Sequence, residues 1–181
     1  MDFQHKLAES LAASLEENME SKEEQALLVY GIELFLNEFL KIVLILGIAA
    51  MAGELKLAIF YTSYLLIARK CSGGKHFGSN IICMLFTFLT AYIIPMAGTM
   101  VTLPLWLQVS MGLIETGLIF IYVPYIKKGK EITKEQKRKR KIAMLIVFLG
   151  YLGAAWLFNA DTFVNGILFI EMIVVLAAVK S

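Results

Sequence analysis

The chain has 181 residues, 59% of them hydrophobic and only 18% charged, with 17 Lys and Arg against 15 Asp and Glu. Soluble domains carry roughly 45–50% apolar and about 25% charged residues, so a water-soluble fold is excluded and the bilayer is the natural solvent. The length fits one domain, 1–181, and the two cysteines are too few for a disulfide framework.

Met1 to about Met19 reads as an amphipathic helix within an N-terminal segment 1–20. Phe3, Leu7, Leu11, Leu15 and Met19, with Ala8 and Ala12, form one apolar stripe, and Glu9, Glu16, Glu17 and Glu20 make its other face acidic. No secretory signal is expected, because an acidic stretch precedes the first apolar run. Ser21-Lys22-Glu23-Glu24 is a capping box. The helix it starts runs past Glu33 and Glu38 into the first span, Phe39–Ala52, closed by Gly53-Glu54.

Leu55–Ala68 is the second span, and at a rise of about 21 Å it falls short of a core roughly 30 Å thick. After a polar loop, Ile81–Met96 is the third span, with Pro95 near its far end. Pro104 suits the first turn of the fourth span, Leu105–Tyr122, which carries Glu115 and stops before Pro124. A basic segment, 127–141, follows. Within it Thr133-Lys134-Glu135-Gln136 is a second capping box, opening the helix of the fifth span, Ile142–Phe158. Asp161 is placed to N-cap the sixth span, Phe163–Val179, which contains Glu171.

These elements define an all-α polytopic membrane protein of about six spans. Lys and Arg mark cytoplasmic loops. The basic segment and the loop holding Arg69, Lys70 and Lys75 then lie inside, as do both termini, while the turns near Glu54, Thr99 and Asn159 lie outside. The basic segment is read as this topology signal and not as a nucleic-acid site. Four spans with re-entrant segments is the main rival count.

The polar loop and helix start over 69–83 carry the chemistry. Both cysteines and His76 sit there, between apolar runs. Asn80 or Ser79 is placed to N-cap the third span, which puts Cys83 in the first turn, where the helix dipole favours a thiolate. Gly73, Gly74 and Gly78 permit turns that fold His76 over Cys83, and Arg69, Lys70 and Lys75 add positive potential. The expectation is a Cys83–His76 dyad, nucleophile and acid–base, on the cytoplasmic face. A third member is left open among Asn80, Ser79 and Glu33. Cys71 lies on no helix start and is read as structural. Cys71, His76 and Cys83 lack the paired spacing of a zinc site, so neither metal nor cofactor is expected.

The order Arg69, Gly73-Gly74, His76 and Cys83 between short spans resembles the accessory gene regulator B (AgrB) family. The Tyr30-Gly31-Ile32-Glu33 stretch and the basic segment between the fourth and fifth spans are similar to that family too. The resemblance implies a bacterial membrane cysteine endopeptidase of quorum sensing. Such an enzyme removes the C-terminal tail of a small propeptide and helps close the rest into a thiolactone or lactone. It implies His76 and Cys83 as the catalytic pair, with Arg69 and Gly74 as further motif positions. Its partner would be an AgrD-like propeptide, amphipathic with an acidic C-terminal tail, which Arg69, Lys70 and Lys75 would attract. Gly112 with Gly117, or Gly150 with Gly153, permits a homodimer. The rival reading is a small transporter or membrane scaffold without peptidase activity. Ionisable Glu33, Glu38, Lys41, Glu115 and Glu171 in or near the spans favour it, and the lack of a repeat of the spans opposes it.

Overall fold

The computed structural model describes residues 3–14, 22–73, 80–126, 132–157 and 161–179. The described residues are helical and contain no strand. The helices are α1 Phe3–Ala13, α2 Lys22–Met51, α3 Leu55–Ser72, α4 Asn80–Phe88, α5 Ile94–Thr99, α6 Leu105–Tyr122, α7 Lys134–Leu157 and α8 Asp161–Val179. A π-helical turn, Leu89–Ile93, joins α4 to α5. His76, Lys75, Gly74, Gly78 and Ser79 lie outside the described residues, as does the Ser21 end of the first capping box.

By internal contacts the chain forms two units, Met1–Gly47 and Ile48–Ser181. In the first, the small residues of α1, Ala8 and Ala12, are buried while Leu7 and Leu11 are exposed. The helix α2 runs unbroken from the capping segment through the first span. One turn apart on it, Lys41 Nζ donates to Glu38 Oε1 at 2.7 Å. Pairing a cation with an anion is how charges persist in an apolar span.

The second unit is organised around α8. Val164, Ile167, Leu168, Ile170, Glu171, Val174 and Val175 are all buried, so this helix is enclosed on nearly every side. The helices α3, α5, α6 and α7 pack around it. The closest crossing is between α5 and α8. A Cβ on Gly98 would stand 2.8 Å from the Phe169 ring and 3.2 Å from the Gly166 Cα, and the Tyr61 ring of α3 lies directly on Gly166. Small residues let helix backbones approach where lipid gives no hydrophobic drive. The outward faces of α6 and α7 are apolar instead: Leu113, Ile114, Ile121, Ile146, Leu149 and Trp156 are exposed. That inversion suits a lipid environment.

Among the described residues, four stretches are long and apolar enough to cross a bilayer: Glu23–Met51, Ile81–Thr99, Leu105–Tyr122 and Lys134–Leu157; Phe163–Ala177 is apolar but shorter. Of the helices outside these four stretches, α3 and α8 are largely enclosed by protein, where apolar length matters less.

Several boundaries differ from the sequence reading. The helix of the second span does not stop at Ala68: beyond the apolar run α3 continues through Arg69, Lys70 and Cys71 to Ser72, 18 residues in all or about 27 Å. Backbone hydrogen bonding carries a helix past the end of its apolar run. Pro104 is the extended residue before α6 and not part of its first turn. Asp161 is the first residue of α8 itself. The third span contains the π turn, just before Pro95. Its widened bonding, with Ile94 N–H donating to Leu89 O, accommodates a residue that lacks an N–H and crowds the preceding turn.

Candidate active site

Cys83 is the fourth residue of α4 and is buried, 4% exposed. Its carbonyl accepts a hydrogen bond from Thr87 Oγ1 at 2.8 Å, one turn on. The same hydroxyl accepts from Arg69 Nη1 of α3 at 3.1 Å. One side chain thus ties the end of α3 to the turn of α4 that holds the thiol. Thr87 is itself buried, so the link is sheltered from competing water.

The chain leaves α3 through Gly73, at φ +74° and ψ 155°, a backbone region that L side chains rarely adopt. A Cβ there would meet the Tyr125 carbonyl oxygen at 2.7 Å. Tyr125 N–H donates to Ser72 O at 2.7 Å, closing the junction from the other side. The segment after α6 is therefore fastened to the point where the polar loop begins.

The first two turns of α7 join the same end. Lys141 Nζ donates to Phe120 O in the last turn of α6, a basic side chain on an otherwise unsatisfied helix carbonyl. Thr133 and Gln136 make the reciprocal capping bonds, Gln136 N–H to Thr133 Oγ1 at 3.2 Å and Thr133 N–H to Gln136 Oε1 at 3.3 Å. Cys71, beyond the apolar part of α3 and half-buried, feels the charges of both Lys70 and Arg140. Burial nevertheless pushes its thiol up from the ordinary range, and the two cations offset this only in part. The end of α3, the start of α4, the end of α6 and the start of α7 gather at one end of the unit, which brings Arg140 of α7 within reach of Cys71.

Of the residues singled out from sequence, Arg69 and Cys83 are linked here through Thr87, and Gly73 closes α3 against Tyr125. Lys70 is exposed at the same end. Asn80 opens α4. Glu33 lies on α2 in the first unit. Both cysteines are thiols, not disulfide-bonded. Among the described residues no group of three or more His, Cys, Asp or Glu is arranged to hold a metal ion. Sequence reasoning misses Thr87 and Tyr125. The signal for Thr87 is its position four residues after Cys83, on the same helix face.

Fold and site define an all-helical membrane protein with a buried thiol at a helix start, tied through a threonine to an arginine. The chain belongs to the accessory gene regulator B family, whose model matches residues 5–178. A putative AgrB-like protein of Halalkalibacterium halodurans is 27% identical over 158 residues, 83% of this chain and 76% of that protein. A putative AgrB-like protein of Lactiplantibacillus plantarum is 29% identical over 92 residues, 50% of this chain but only 46% of that protein. The accessory gene regulator protein B of Staphylococcus carnosus is 25% identical over 118 residues, 65% of this chain and 61% of that protein. No solved structure matches. Membership of the family supports a role in the accessory gene regulator quorum-sensing system.

Proposed function

We propose that the chain is a membrane cysteine endopeptidase that cuts the C-terminal tail from a small amphipathic propeptide and promotes its closure to a thiolactone or lactone. The observation that carries this reading is the Arg69–Thr87–Cys83 link, which holds the thiol-bearing turn beside a cation in a chain of this family. Cys83 Sγ attacks the scissile carbonyl, the C–N bond breaks, and the leaving amine takes a proton from His76. The peptide remains as a thioester on Cys83. An internal thiol or hydroxyl of the peptide then attacks that carbonyl, the new ring bond forms, and the Cys83 sulfur departs. A buried sulfur supports this second step, because excluding water favours the internal nucleophile over hydrolysis.

Arg69 spends one N–H on Thr87. A guanidinium has five, which leaves donors for a carboxylate of an acidic tail, with Lys70 and Lys75 adding potential. This end of the protein faces the cytoplasm in our reading, with both termini inside. The test is co-expression with a propeptide bearing an internal Cys or Ser and an acidic tail, with mass measurement of the products. A tail released together with a peptide one water lighter than its linear form is expected. An intact propeptide with wild-type protein rejects the reading.

A further inference from the structure

A second polar centre lies inside the helix bundle, and the proposed peptidase chemistry does not use it. Glu115 of α6 and Glu171 of α8 are 2% and 0% exposed. Tyr64 of α3 donates its hydroxyl to Glu171 Oε2 at 2.5 Å. The other oxygen of Glu171 and both oxygens of Glu115 have no hydrogen-bond partner. The two carboxyls are near enough for their charges to act on one another. Tyr64 of α3 faces them; its ring lies 5.1 Å from that of Tyr151 of α7, whose hydroxyl is hydrogen-bonded to Ser63. Tyr61 of α3 directs its hydroxyl to Phe163 O, and α5 has no titratable side chain.

Two anions side by side, with one tyrosine hydroxyl as their donor, in a bundle surrounded by lipid would be very costly. Something positive must sit there. A divalent metal would want more ligands than two carboxyls, and no larger ligand set is present among the described residues. We propose that Glu115, Glu171 and Tyr64 form a proton-binding site within the helix bundle, with the bound proton on Glu115. The proton comes from water when α6 and α8 separate and returns to water the same way. Packing of α6 on α8 is thereby coupled to proton uptake, because releasing the proton in place would leave like charges facing each other. The proposal stands apart from the peptidase reading, since no residue of the candidate active site takes part in it.

The test is infrared spectroscopy of the full-length protein reconstituted in lipid, reading the carbonyl stretch of protonated carboxyls at neutral pH. That band is expected in the wild type, lost in Glu115→Gln and retained in a Glu54→Gln control. Its absence from the wild type, or its survival in Glu115→Gln, overturns the proposal. Loss in Glu171→Gln alone overturns the placing of the proton on Glu115. Thermal unfolding gives a second readout. The packed state binds one proton more than the water-exposed chain, so the wild type should lose stability as pH rises, and Glu115→Gln should lose that dependence. Gln copies the shape of the neutral acid, so a Glu115→Gln variant that fails to fold at every pH also counts against the proposal.

Discussion

Arg69 of α3 and Cys83 of α4 are joined through a single hydroxyl, that of Thr87, which accepts from the guanidinium and donates to the Cys83 carbonyl. Donation from threonine to the carbonyl one turn back is common in helices. The guanidinium on the same oxygen is what makes the pair a clamp between two helices. Thr87→Val keeps the shape and removes the hydroxyl, leaving an Arg69 N–H without its acceptor. Hydrogen bonds to charged groups are worth about 1.5–3 kcal/mol, so propeptide cleavage is expected to fall roughly tenfold or more. Thr87→Ser should restore most of it. Arg69→Ala combined with Thr87→Val should cost less than the two single losses added together. Strict additivity would show that the bond does not matter to the site.

Gly73 makes a separate prediction about the loop. Its φ of +74° and the 2.7 Å approach of the Tyr125 carbonyl leave no place for a side chain. Gly73→Ala should therefore break the Tyr125–Ser72 junction or force the backbone to a new path, at a cost of about 1–3 kcal/mol. Thermal unfolding in detergent and the cleavage assay should both register it. A Gly73→Ala protein as stable and active as the wild type would mean that the junction is not required.

The two thiols should respond differently to pH. Burial holds the Cys71 thiol up against the pull of Lys70 and Arg140, so its thiolate fraction should grow only above the ordinary thiol range of about 8.5. In a Cys83→Ala background, alkylation of Cys71 should be slow at neutral pH and accelerate as pH climbs past that range. Rapid labelling at neutral pH would show that the two cations outweigh burial.

Much of this architecture is legible in the sequence, for particular reasons. The Thr133–Gln136 capping box forms as read, because its signal is local. The bounds of α6, Leu105–Tyr122, coincide with the apolar run between Pro104 and Pro124. Features that depend on distant packing are not legible. Nothing in the sequence pairs Tyr64 with Glu171, which are 107 residues apart. Thr87 reads as a small filler in an apolar run until α3 places Arg69 beside it. The end of α3 falls later than its apolar run suggests, because Arg69 and Lys70 end its apolar character without ending its backbone bonding. The cluster at one end of the unit is foreshadowed only through charge, as loops assigned to one side.

That side assignment is itself testable. The ends of α3 and α6 and the starts of α4 and α7 share one end of the unit, by the Tyr125–Ser72 and Lys141–Phe120 bonds. The basic start of α7 should make that end cytoplasmic. Single cysteines introduced at Thr99 and Ala160 in a protein otherwise free of cysteine should then react with an impermeant reagent from outside only. Labelling of either from the cytoplasmic side alone would reject six spans.

The most searching prediction separates the two half-reactions. Cys83→Ala should abolish cleavage outright, since no other thiol is placed to form the thioester, whereas Cys71→Ala should keep most of the activity. His76→Ala should also abolish cleavage, because the leaving amine would lack its proton. If the ring-forming residue of the propeptide is changed to Ala, tail release should still occur, but the acyl group then has no internal nucleophile. The enzyme should gain the mass of the shortened peptide minus one water, and digestion should map that adduct to Cys83. Slow release of a linear peptide is the expected fate of the adduct, as water reaches the thioester. An adduct on Cys71, or full cleavage by Cys83→Ala, would remove Cys83 as the nucleophile and leave the Arg69–Thr87 clamp without a catalytic role.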